Sequence, residues 1–62
     1  MLKITVDFEN GFIKIEEETK YFNRLVSYFT LPEVDKLTFD DISKEIEDLL
    51  RHLNVEFETI IL

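Results

Sequence analysis

The chain has 62 residues, 45% of them apolar, and no cysteine. At this length it forms one domain with little room for an enclosed active site, and neither a disulfide framework nor a zinc-thiolate centre can stabilise it. Fourteen acids against seven bases give a formal charge of -7, which disfavours direct binding to nucleic acid or anionic membranes and favours basic protein surfaces.

The first residues, MLKITVDFEN, alternate polar and apolar side chains, unlike the basic start and continuous apolar run of a signal peptide. No segment approaches the roughly 18 apolar residues of a membrane span. Because cysteine is absent as well, we expect a cytoplasmic protein with no membrane partner.

The dipeptide Asn10-Gly11 stands between two alternating runs and predicts a β-hairpin with a two-residue type I prime turn. In that register Glu9 faces Phe12 and Lys3 faces Glu18. One face of the hairpin then carries Leu2, Ile4, Val6, Phe8, Ile13 and Ile15.

From Thr19 the apolar spacing changes to a helical period, which predicts a first helix that ends before Pro32. Its apolar arc contains Phe22, Leu25, Val26 and Phe29. After a connector, Thr38 is the predicted N-cap of a second helix, and Asn54 is its predicted C-terminal stop. The apolar stripe of this helix consists of Phe39, Ile42, Ile46, Leu49, Leu50 and Leu53. The final VEFETIIL is predicted to be a strand.

Residues 1–62 are therefore expected to form one α+β domain with the element order ββααβ. If each element reverses direction, the last strand runs parallel to the first, through a crossover of the allowed right-handed kind. This arrangement gives a three-stranded mixed sheet of order 2-1-3 with both helices packed on one face.

Few residues of the chain are suited to catalysis. We therefore predict that the protein is not an enzyme and has no catalytic residue, metal or cofactor. The single histidine, His52, falls on the outward side of the second helix in its last turn, where it complements the helix dipole. The only glycine, Gly11, is used by the hairpin, so no phosphate-binding loop is present. The adjacent acids lack the alternating ligands and central glycine of a calcium loop.

One flank of the second helix is a candidate partner-binding site, because Asp41, Glu45 and Asp48 lie there with few bases, next to His52. Carboxylates one turn apart stand about 5 to 6 Å from each other, close to the phosphate spacing of a nucleic-acid strand. The competing interpretation is an ordinary solvated helix face. The other flank is expected to pair its own charges, namely Asp40, Lys44, Glu47 and Arg51.

The face of the sheet away from the helices is a second candidate. Phe12, Ile60 and Leu62 are expected to converge at its hairpin end. Around them the pattern places the acids Asp7, Glu9 and Glu58. An apolar spot with an acidic rim fits a partner that is basic around an apolar pocket. A homodimer through this face or along the edge strand explains the pattern equally well.

These observations favour a small acidic inhibitor that occupies the basic nucleic-acid-binding surface of a target protein. In size and composition the chain is similar to phage-encoded anti-CRISPR and DNA-mimic inhibitors, a likeness that involves no sequence motif. The alternative is a structural or assembly module that acts as a homodimer through the open sheet face.

Overall fold

The computed structural model describes residues 1 to 62 and contains five elements in the order βββαβ. The elements are β1 (Leu2–Asp7), β2 (Phe12–Glu18), β3 (Asn23–Thr30), α1 (Lys36–His52) and β4 (Phe57–Ile61). The strands form one mixed sheet of order β3-β2-β1-β4, in which only β1 and β4 pair in parallel. The predicted ββααβ fold, with three strands and two helices, is therefore wrong. The single helix is neither long nor apolar enough to cross a membrane.

The error lies in the segment after Thr19, which forms a tight turn and a strand instead of a helix. Both the backbone N–H and the hydroxyl of Thr19 donate to the carbonyl of Phe22, at 2.9 and 3.0 Å. Aromatic and β-branched residues, which favour strands, then dominate the segment. Between the residues opposite Ile15 and Glu16, β3 contains one extra residue, Val26, which has no partner in β2. The strand can therefore carry two consecutive apolar residues, Leu25 and Val26, at the bulge. This bulge breaks the alternation of a strand and produces a spacing that imitates a helix.

The β1–β2 hairpin also differs from the prediction, because its connection is four residues long. A type I prime turn needs positive φ at both central residues. Within the hairpin only Gly11 has one, at 69°. The carboxylate of Asp7 instead accepts the backbone N–H and the side-chain amide of Asn10, at 3.0 and 2.8 Å. Asp7 therefore pairs with Phe12, and Lys3 pairs with Glu16. Since the shift moves the pairing by two positions, the apolar residues keep their face.

The core lies between one face of the sheet and α1. Four strand residues are buried there beneath Phe39 of the helix, namely Ile4, Val6, Ile13 and Ile15. Phe8 contacts the Phe39 ring edge-on at 5.3 Å between centroids, so it joins the core from the hairpin turn. The partly buried residues packed around this cluster include Leu2, Leu31, Val34, Ile42, Ile46, Leu50 and Phe57. One helix thus closes the core over the two central strands.

The ends of α1 are fixed by polar groups. The carboxylate of Asp35 accepts the N–H of Thr38 at 2.7 Å, which makes Asp35 the N-cap. The prediction of Thr38 as the N-cap is wrong, because Asp35 caps the helix three residues earlier. At the other end Asn54 has a φ of 58° and donates to the carbonyl of Arg51. Its predicted role as the C-terminal stop is confirmed.

We expect Gly11→Ala to destabilise the fold by about 1 to 2 kcal/mol, because a Cβ at positive φ is strained. The added Cβ would also lie 3.2 Å from the carbonyl oxygen of Leu31 and 3.3 Å from the Cα of Pro32. Urea unfolding measures the loss, with Glu9→Ala in the same turn as the control. Equal stability of the two variants would contradict this account of the hairpin.

Candidate functional site

The acids of this chain divide into those that the fold uses and those that it leaves free. Five acids lie in ion pairs, namely Glu16, Glu17, Asp40, Glu47 and Asp48. Two more, Asp7 and Asp35, accept hydrogen bonds at a turn and a cap. The remaining acids lie in no ion pair, and they are Glu9, Glu18, Glu33, Asp41, Glu45, Glu56 and Glu58. The excess negative charge is therefore not neutralised by bases within the fold.

The predicted acidic helix flank is present in reduced form. Asp41 and Glu45 are exposed one turn apart on α1 and contact no base. Asp48 instead pairs with Arg51 at 3.1 Å. Both partners of that pair are largely exposed, so the pair contributes little and a cation from another molecule can replace Arg51. We name Asp41 and Glu45 the acidic crest, with Asp48 next to it.

The predicted pairing on the other flank of α1 is only partly right. Glu47 pairs with Arg51 at 3.8 Å, but Asp40 pairs with Lys36 at 3.1 Å. Lys44, which was expected to join them, lies in no ion pair and is exposed. His52 is the last residue of α1 and is exposed.

The structure places Phe12 on β2, Ile60 on β4 and Leu62 just after β4, with β1 between the two strands. Phe12 stacks on the ring of Tyr28, at 5.5 Å between centroids. Ile60 lies opposite Thr5 in the register, and the N–H of Leu62 donates to the carbonyl of Val6.

The predicted acidic rim of this face is incomplete. Asp7 is only 6% exposed and its carboxylate is occupied by Asn10. Glu9 is exposed in the hairpin turn, and Glu58 is exposed opposite Lys3. Two of the three predicted rim acids, Glu9 and Glu58, are therefore exposed and lie in no ion pair.

Sequence reasoning missed the largest exposed feature, which is β3. Its large apolar side chains are about half exposed, at 58% for Leu25, 52% for Val26, 51% for Tyr28 and 42% for Phe29. Phe22, just before the strand, is 55% exposed. We name these five residues the β3 apolar surface. The signal that could have found it is the density of aromatic and β-branched residues between two turns.

β3 is uncovered because α1 lies toward the other side of the sheet. Glu47 on one flank of the helix accepts the hydroxyl of Thr59 in β4 at 2.9 Å, and Arg51 lies 5.4 Å from the centre of the Phe57 ring. The opposite flank carries Leu49 and Leu53, which are 59% and 60% exposed. Neither face of β3 therefore has a helix packed over it.

The molecule has one surface depression, which is open and measures about 370 Å³. Its lining consists of Met1, Leu2, Glu17, Val55 and Glu56. No group of three or more histidine or acidic side chains is placed to hold a metal ion. The acidic crest and the β3 apolar surface, in contrast, are exposed surfaces.

Two carboxylates have perturbed acidity, and both belong to the fold. The side-chain amide of Asn10, helped by its backbone N–H, lowers the pKa of Asp7. The backbone N–H of Thr38, helped by its hydroxyl, lowers the pKa of Asp35. In each case the hydrogen bonds favour the charged form of the carboxyl group.

Comparisons with known proteins identify no family, because a scan of family models, a search of curated proteins and a search of solved structures each gave no match.

Because the pKa of Asp7 is lowered by folding, its contribution to stability is present above the ordinary aspartate value of about 3.9 and is lost as the pH falls through the lower folded value. We expect Asp7→Asn to be less stable than the wild type at pH 7, and the difference to shrink below that value. Urea unfolding from about pH 7 to 2.5 measures this difference. Glu9→Gln removes the same charge from the same turn and is the control. A gap between Asp7→Asn and wild type that stays constant across the range would assign the effect to shape alone.

Proposed function

We propose that this protein is a small cytoplasmic inhibitor that binds the basic nucleic-acid-binding surface of a target protein, in the manner of anti-CRISPR or DNA-mimic proteins. The observation that carries the proposal is the acidic crest, in which Asp41 and Glu45 stand exposed on the solvent side of α1 without a base.

The spacing of the crest supports the proposal. Side chains at i and i+4 of a helix stand about 5 to 6 Å apart, which is close to the distance between phosphates along a nucleic-acid strand. α1 is 17 residues long and ordered by caps at both ends, so the crest is held on a rigid element. A basic groove that accepts phosphates can therefore accept these carboxylates without reorganising them.

The distribution of free acids supports it as well. Unpaired acids occur in the hairpin turn, at the end of β2, before α1 and on β4, in addition to the crest. With a formal charge of -7 their combined field attracts basic surfaces at long range and raises the association rate. The field also opposes contact with nucleic acid itself, so the protein competes with nucleic acid for one binding partner.

The shape of the molecule favours binding over chemistry. Its single depression is open, and the residues that line it include two acids but no histidine, serine or lysine. An inhibitor needs only a complementary surface, and this chain presents its free charges on exposed positions.

A pair of charge-matched variants tests the proposal. Asp41→Asn with Glu45→Gln removes two acids from the crest, and Glu33→Gln with Glu56→Gln removes two unpaired acids elsewhere, so both variants change the formal charge by the same amount. Each is used as bait in a nuclease-treated bacterial lysate. We expect the wild type and the control to retain a nucleic-acid-binding protein, and the crest variant to bind it roughly tenfold more weakly.

Two further measurements on the captured protein, its dependence on salt and its competition with nucleic acid, complete this test. Retention should fall as NaCl rises from about 0.05 to 0.5 M, because salt screens exposed charges. Added double-stranded DNA or RNA should compete for the captured protein. Equal losses in the two variants would mean that bulk charge alone is responsible, and binding that ignores both salt and nucleic acid would refute groove mimicry.

A further inference from the structure

We propose that β3 pairs edge to edge with the β3 strand of a second copy of this chain, which joins two four-stranded sheets into one continuous antiparallel sheet. This interface does not use the acidic crest, and Ile60 and Leu62 lie at the opposite side of the sheet from it. It is independent of the proposed inhibitor function.

The outer edge of β3 is available for such pairing. β3 ends the strand order and bonds to β2 on one side only, so the backbone groups on its other side have no partner in the sheet. With eight residues it is the longest strand of the sheet. It contains no proline and no lysine, which are common means of blocking an edge. Its bulge lies before Ser27, and the stretch from Ser27 to Thr30 pairs regularly with β2.

The charge pattern favours a second copy as the occupant. The chain has fourteen acids, but the sequence of β3, NRLVSYFT, contains none of them. Its one charge is Arg24, which already pairs with Glu17 at 3.3 Å. A partner selected for basic charge finds no counter-charge on this strand. A second copy meets no like charges directly opposite, even though each chain carries -7 overall.

The exposed apolar area of β3 is also large enough to contribute to a dimer interface. Half of an aromatic side chain is on the order of 100 Å², so the β3 apolar surface, with three aromatic and two aliphatic residues, amounts to roughly 400 to 500 Å². This area is divided between the two faces of the strand, so a partner on one face would bury only part of it. Edge pairing buries the open backbone of the strand and the parts of these side chains that face the second copy, so the interface falls in the small class below about 600 Å² per partner.

Edge pairing gives the side chains on both faces of β3 new cross-strand neighbours at the same time. Leu25 and Tyr28 share the open face with Glu16 and Lys14 of β2, whereas Phe29 lies on the helix side with Ile13. Docking of one face against another protein would leave the other set exposed. Two antiparallel strands related by a twofold axis place the matching faces of both copies on the same side, so each set gains a cross-strand neighbour.

The first test is the mass of the protein in solution, measured by sedimentation equilibrium over a wide range of protein concentration. We expect a dimer for the wild type. Tyr28→Lys removes an aromatic contact and adds charge to the edge, so it should raise the dimer Kd by roughly tenfold or more. Leu37→Lys makes a comparable apolar-to-lysine change at a site that is 75% exposed on α1, and it should leave the dimer unchanged. Circular dichroism confirms that each variant is folded.

A second test does not depend on a destabilising substitution. The chain has no cysteine, so single cysteines at positions 25 to 30 report on one site each. In antiparallel pairing about a twofold axis only one position faces its own copy, at a Cα separation of about 4.5 to 5.5 Å, which suits a disulfide. We expect oxidation to cross-link one position between Ser27 and Thr30 most efficiently, with the yield falling on both sides.

Three outcomes would overturn the proposal. One is a wild-type monomer at the highest concentration, which would leave β3 to a different protein. Another is a disulfide yield that shows no maximum among the single-cysteine variants at positions 25 to 30. The last is a dimer that dissociates in Leu62→Lys and persists in Tyr28→Lys, which would place the interface on the open sheet face.

Discussion

The structure depends on one constraint, which is that a single helix must cover a four-stranded sheet. A helix with its side chains is about 10 Å wide and strands lie about 4.8 Å apart, so one helix covers roughly two strands. Phe39 of α1 packs on Ile4, Val6, Ile13 and Ile15, which all belong to the two central strands. The buried core is consequently small, and the apolar residues of β3 remain in solvent although the sequence supplied them in a pattern typical of a core.

The same constraint separates what could be predicted from the sequence from what could not. The hairpin faces, α1 and β4 were predictable because alternation, helical spacing and the Asn54 stop are local signals. The register of the β1–β2 hairpin was not predictable, since it depends on the hydrogen bonds that Asn10 donates to the Asp7 carboxylate across the turn. β3 was mistaken for a helix because its bulge disrupts the alternation. On the site, the i, i+4 spacing identified Asp41 and Glu45, but the exposure of β3 follows from the absence of a second helix, which no local pattern records.

Short polar residues hold the backbone at several turns, three of them through their side chains and Asn54 through its backbone. Asp7 holds the first turn, Thr19 the second, Asp35 the start of α1 and Asn54 its end. These residues fix backbone direction at four of the places where the chain turns, and each acts within three or four positions of itself. Acids used in this way have lowered pKa values, whereas the free acids of the crest and turns have no partner in the fold. Charge in this protein therefore has two separable roles, one in local geometry and one in what the surface presents.

The parallel pairing of β1 with β4 affects how the chain acquires its structure. β1, β2 and β3 are joined by short turns and can assemble as a local meander, but Leu2 meets Phe57 only after α1 has crossed the sheet. Closing so long a loop carries an entropic cost that contacts must first offset, so we expect this pairing to form after the meander. Until it forms, both outer strands of the meander have open edges, and β1 loses its open edge to β4 while β3 keeps its own. Completion of the fold thus moves one open edge from β1 to β4, a strand of only five residues, and leaves the longer open edge on β3.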